Sequence, residues 1–169
     1  AALLRIVTWP GDPTVRERRP VVEPLTPEQE RRRLQGQAVY DVTCHACHKG
    51  DGRGQPGQAP PLADSEWVNG DVDTLIRIAL HGLRGPIRVG GDEWNLRMPG
   101  LGGSAVMTDA RLAGTLTYIR RAWGNYGGPV DTERVAAVRL ATAPMGQAFT
   151  VEQIADLVAY LQTLGGSAP

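Results

Sequence analysis

The chain has 169 residues but a single phenylalanine, Phe149, and aromatic side chains make up only 5% of it. So few rings leave a small side-chain core, one that a bulky apolar body from outside the polypeptide would complete. There is no run of about 18 apolar residues, so no segment reads as a membrane-spanning helix. Formal net charge is zero. That balance argues against nucleic acid as a partner. Lys49 is the only lysine among 18 basic residues, so a lysine-ringed docking face is excluded. Cysteine is scarce as well, limited to Cys44 and Cys47. Zinc would need four ligands, usually a second Cys or His pair, and only His45, His48 and His81 could add to the two thiols. Glycine (21) and proline (13) are plentiful, so much of the chain must be turn and loop.

The two cysteines stand in Cys44-His45-Ala46-Cys47-His48. Two thiols with two residues between them, followed at once by histidine, form the attachment pattern for c-type haem. Each thiol adds to a vinyl group on one edge of the porphyrin. His48 then lies under the ring and can bind the iron. A thioredoxin-like dithiol would want a strand before it and a βαβ context, whereas the residues before Cys44 read as helix. A disulfide between Cys44 and Cys47 would close a tiny, strained ring. One haem c, covalent through Cys44 and Cys47, is therefore expected, and with it a poorly folded apo form. Haem of this type is attached outside the cytoplasmic membrane, so an extracytoplasmic or periplasmic location is expected. No signal peptide is evident, and the chain reads as a processed mature protein or a piece of a longer, tethering one.

Residues 1–25, with Pro10, Pro13, Pro20 and Pro24, read as an extended N-terminal arm or linker. Residues 26–125 read as the haem domain, and 126–169 as a helical extension packed on it or on a neighbour. The first helix is expected from Glu28 to about Thr43. Thr26 would cap it, Pro27 would start it, and Gln29 would complete a capping box. Further helices are predicted over Val72–His81, Asp109–Trp123, Thr132–Ala141 and Val151–Leu164, the last capped by Thr150 with Gln153. Asp51–Asp64 and Gly82–Gly103 are predicted as Gly/Pro-rich loops.

At this level the chain resembles the class I c-type cytochromes, over about residues 26–124. Gly36 and Tyr40 precede Cys44 where that family has a small residue and an aromatic, which let the first helix cross closely over the last. Ala59-Pro60-Pro61-Leu62 resembles the family's Pro-Leu loop. By that match the Pro60 carbonyl accepts the ring N–H of His48. Thr117-Tyr118-Ile119 matches the tyrosine-bearing final helix. The resemblance implies an all-α fold: a small helical domain wrapped around one haem, with an N-terminal arm and extra C-terminal helices.

The second axial ligand is to be chosen among His45, His81, Met98, Met107 and Met145. Met98-Pro99, in a glycine-rich stretch, matches the family's distal pattern, so the resemblance implies His48 and Met98 as the iron ligands. Met145 is the rival, and Met107 reads as a core residue. Trp67, Trp94, Arg88 and Arg97 flank the cofactor segments, where an indole N–H or a guanidinium could bond a propionate; the alternative for each is that it covers surface. Segments 60–68, 76–83 and 118–125 resemble cytochrome domains fused to, or partnered with, bacterial extracytoplasmic dehydrogenases. The resemblance implies an electron carrier and not an enzyme. A dehydrogenase would be the donor and another cytochrome or an oxidase the acceptor. The competing class is a haem enzyme or sensor, peroxidase-like or ligand-binding, with a labile sixth position.

Overall fold

The computed structural model describes residues 21–143, 149–153 and 156. Helix α1 spans Pro27–Thr43. Its start is the expected reciprocal cap: Gln29 N–H donates to Thr26 Oγ1 at 3.3 Å, and Thr26 N–H donates to Gln29 Oε1 at 2.9 Å. Cys44 closes α1, and His45–His48 add one further turn, α2. Then follow α3 (Glu66–Asn69) and α4 (Val72–His81), the latter capped by the Asp71 carboxylate. Beyond a hairpin come α5 (Asp109–Arg121), capped by Thr108, and α6 (Thr132–Thr142). The expected end of α5 at Trp123 is two residues too long. Trp123 and Gly124 have φ of 52° and 86°, and left-handed residues cannot continue the helix.

A second expectation needs correction. Residues 82–103 are not one loop, and the chain is not all-α. Strands β1 (Gly82–Val89) and β2 (Asp92–Pro99) form an antiparallel pair, with Leu83 opposite Met98 and Ile87 opposite Trp94. Its turn is Gly90-Gly91, with φ of 60° and 90°. Positive φ at both central residues is what a two-residue type I′ turn requires. Leu83, Ile87 and Val89 alternate with polar or small residues along β1, as Trp94, Leu96 and Met98 do along β2.

The core lies where α1 crosses α5. A Cβ on Gly36 would fall onto the backbone of Gly114 and Thr115, and one on Gly114 would meet the Arg32 carbonyl at 2.7 Å. Glycine on both helices is what allows this approach. Beside the crossing, Tyr40 is fully buried against Tyr118 and Trp123, with ring centroids 5.3 and 5.1 Å away. Its hydroxyl donates to the Lys49 carbonyl at 2.6 Å, which ties α1 to the end of α2. Ile76, Leu80, Leu112, Leu116, Val135 and Val138 complete the main cluster, joining α4, α5 and α6. Each fully buried side chain of this kind contributes about 1.5–3 kcal/mol relative to exposure.

Two arginines staple loops to helices. Arg120 Nη1 donates to the Val68 and Gly70 carbonyls (2.7 and 3.1 Å) and its Nε to Gly128 (3.0 Å). Arg139 bonds Asp109 Oδ1 at 2.7 Å and the carbonyls of Gly102 and Met107 at 2.7 and 3.0 Å.

After α6, Phe149 pairs with Leu83 as an isolated parallel bridge. The predicted Thr150–Gln153 capping box forms, with bonds of 3.3 and 2.9 Å, and residues 151–153 and 156 are helical. The rest of the predicted helix over 151–164, Met145, and residues 1–20 of the N-terminal arm lie outside the described residues.

Candidate functional site

An apolar cleft of about 1040 Å³, counting its solvent-open mouth, lies between the α1–α2 junction, the loop through Pro60, and the hairpin. Cys44, Cys47 and His48 line one side, and Pro60, Pro61 and Leu62 adjoin them. Leu75 and Ile78 of α4 form the back, while Leu83, Ile87, Trp94, Leu96 and Met98 face it from the hairpin. Cys44, Cys47, His48, Pro60, Trp67, Trp94, Arg97 and Met98 all line this one cleft, whereas Arg88, also singled out as a propionate candidate, does not.

His48 is buried, and its Nδ1 lies 3.1 Å from the Pro60 carbonyl. A carbonyl only accepts, so Nδ1 carries the proton and Nε2 keeps its lone pair. Burial holds the His48 pKa below its ordinary value, although the Pro60 bond works the other way. The ring is thus kept neutral, the form a metal needs. Both cysteines are free thiols; Cys44 is half-buried and Cys47 exposed. Burial, then the neighbouring Cys47, pushes the Cys44 thiol up to about 11. That shift works against Cys44 as an attacking thiolate.

The two tryptophans separate. The Trp67 indole N–H donates to the Arg88 carbonyl at 2.7 Å. Trp94 Nε1 is buried with no partner at all. Such a group is costly unless an acceptor arrives, and it stands in the cleft wall. Arg97 is exposed at the same wall. Among the other candidate ligands, His45 is exposed on α2, and Met107 is buried beneath the start of α5, away from the cleft. The His81 Nε2 lies 2.6 Å from Thr142 Oγ1, and His81 is not a lining residue.

Several supporting residues were not evident in the sequence. The Glu66 carboxylate accepts from the Gly90 N–H at 3.0 and 3.1 Å, and with Trp67 it ties the hairpin tip to α3. Buried Asn125 donates to the carbonyls of Leu62 and Ile119 at 2.9 and 2.8 Å and accepts from Asn69 at 3.0 Å. It fixes the Pro60–Leu62 loop to the end of α5. Nothing in local sequence marks an asparagine whose partners lie 56 and 63 residues away.

The donor set fits a covalently attached haem: two free thiols, an imidazole with Nε2 available, a thioether in the same apolar cleft, and an orphaned N–H in its wall. Among the described residues no cluster of three or more His, Cys, Asp or Glu side chains could hold a separate metal ion. The family model described as cytochrome c oxidase, cbb3-type, subunit III matches residues 32–119. The chain belongs to that family of c-type cytochrome domains, and it is an electron-transfer protein of the haem c class. It is 36% identical over 94 residues to cytochrome c-552 of Thermus thermophilus, an alignment covering 53% of this chain and 69% of that protein. Cytochrome c-555 of Chlorobaculum tepidum is 29% identical over 84 residues, covering 50% and 70% respectively. The gluconate 2-dehydrogenase cytochrome c subunit of Pantoea cypripedii is 34% identical over 107 residues, covering 62% of this chain and 24% of that subunit. No helix among the described residues is long and apolar enough to cross a membrane.

Proposed function

We propose that the chain carries one haem c and moves one electron at a time from an extracytoplasmic dehydrogenase to a downstream cytochrome or oxidase. The observation that carries this reading is the convergence of Cys44, Cys47, His48 and Met98 on a single apolar cleft. The similarity to a dehydrogenase cytochrome subunit supports the donor class. The haem iron supplies the ferric–ferrous couple. Cys44 and Cys47 would hold the macrocycle by thioethers, and His48 Nε2 and the Met98 sulfur would be the axial ligands. Pro60 fixes the His48 tautomer and orientation, as partners of ligating histidines do. Trp94 Nε1 would donate to a propionate, and Arg97 would neutralise that edge. The apolar lining excludes water, so the redox change meets little solvent reorganisation.

Residues 26–125 would be the haem domain, with 1–25 as arm or linker and 126–169 as an extension laid against it. The location would be periplasmic or otherwise extracytoplasmic. With His48 and Met98 both holding the iron, no place on the metal would be left for a substrate, which would separate this reading from a haem enzyme or sensor. Oxidised and reduced visible spectra of wild type and Met98→Ala test it. Loss of the sulfur-to-iron charge-transfer band and a lower potential in Met98→Ala are expected. A band that survives the substitution removes Met98 as ligand and turns attention to Met145.

A further inference from the structure

We propose that Phe149 is a positioning residue: it braces the base of the hairpin and thereby sets how readily the Met98 thioether leaves the iron. This rests on the assignment of Met98 as an axial ligand. An isolated two-stranded hairpin is marginal in water. This one is tied at its tip, through Glu66 and Trp67, but Met98 lies at the other end, opposite Leu83. There the free edge of β1 is met by residue 149. Arg84 N–H donates to the Phe149 carbonyl at 3.0 Å, and Leu83 and Phe149 form the parallel bridge. In effect one residue of a third strand is added where the hairpin needs it.

The ring is buried, 7% exposed, in a cluster with Ile78 and Leu83, against which Trp67, Ile87, Met98 and Val151 pack. Ile78, Leu83, Trp67, Ile87 and Met98 all line the cleft, and Phe149 does not. It therefore touches the wall from behind and acts on the cofactor only through that wall. Its far side is braced in turn. The ring meets the His81 imidazole edge-on, with centroids 5.1 Å apart at 81°. Thr142 Oγ1 donates to the Val138 carbonyl at 2.7 Å, so it must accept from His81 Nε2. A chain of contacts thus runs from α6 through His81 and Phe149 to Leu83 and Met98. Release of the thioether requires the base of the hairpin to open locally, and the frequency of such opening follows the local contacts that resist it.

The test is imidazole binding to the ferric holoprotein, read as loss of the charge-transfer band, in wild type, Phe149→Ala, Phe149→Leu and Leu112→Ala. Phe149→Ala should bind imidazole about tenfold more tightly, the factor that about 1.4 kcal/mol of lost bracing produces. Phe149→Leu, which keeps an apolar body in place, should stay near wild type. Leu112→Ala weakens the core at α5, outside this chain of contacts and outside the cleft lining, and controls for general destabilisation, so its imidazole affinity should not change. Unchanged affinity in Phe149→Ala, or an equal rise in Leu112→Ala, overturns the bracing role while leaving the ligand assignment intact. A wild-type band that persists in Met98→Ala overturns the ligand assignment, and the role of Phe149 falls with it. If Phe149→Ala fails to fold, Phe149→Val is titrated instead and must show a rise between those of wild type and the tenfold expectation; no rise overturns the proposal.

Discussion

Substituting Gly36 by alanine tests the helix crossing on which the cleft is built. The added methyl would overlap the backbone carbon and oxygen of Gly114 and the nitrogen of Thr115. Overpacking a core typically costs about 1–3 kcal/mol. The atoms struck here are backbone, which cannot swing aside as a flexible side chain would, so the cost belongs at about 3 kcal/mol. Alanine is the better helix former by about 1 kcal/mol. The net loss is about 2 kcal/mol, or about 4–8 °C in melting temperature for a chain of this size. Gly114→Ala presses chiefly on the Arg32 carbonyl at 2.7 Å and should lose about half as much. Gly103→Ala, with nothing within 4 Å, should melt within a degree or so of wild type. Thermal unfolding of the ferric holoprotein, followed by far-ultraviolet circular dichroism, measures all three. A Gly36→Ala protein that melts at or above wild type would refute the close crossing.

Trp94→Phe should move the propionate-linked inflection of reduction potential against pH to higher pH, because a lost donor disfavours the anion. Trp67→Phe should leave that inflection in place, since its N–H is already spent on Arg88; voltammetry across pH distinguishes the two. Asn125→Ala strands the carbonyls of Leu62 and Ile119 and should cost about 2 kcal/mol in guanidinium titrations. Burial, then Arg139 and Arg77, hold His81 below its ordinary 6.5. The unfolded chain therefore takes up that proton first. The His81 contribution to stability is complete above about pH 6.5 and is lost as pH falls below it. Melting temperatures of His81→Gln should accordingly fall less steeply than those of wild type between pH 7 and 5.

What could be read from the sequence was local, or carried by a fixed spacing. Thr26-Pro27-Gln29 and Thr150-Gln153 encode helix starts within four residues, and both caps form. The Cys44–His48 pattern and the Gly36–Tyr40 pair have fixed offsets, and the Pro60 carbonyl lies where the resemblance implied. The hairpin is masked by composition, because glycine and proline supply nine of the 22 residues from 82 to 103. Yet the alternation of Leu83, Ile87 and Val89, the Gly90-Gly91 pair, and Trp94, Leu96 and Met98 is a legible two-strand signal. Its composition outweighed its period. Distant partners left no local mark: neither Asn125 bridging Leu62 and Asn69, nor the difference between a satisfied Trp67 and an unsatisfied Trp94, can be seen without coordinates.

The two arginine staples give the near-absence of lysine an architectural meaning. Each joins backbone carbonyls from separate stretches of chain, Arg120 across positions 68, 70 and 128 and Arg139 across 102 and 107. An ammonium on a flexible stem lacks the planar fork that reaches several acceptors at once. Each staple is therefore one rigid cation spanning several acceptors, which a lysine in its place would not hold together. Strong base works against the fold at the helix crossing, where burial pushes Tyr40 beyond the usual phenol range and so opposes its ionised form.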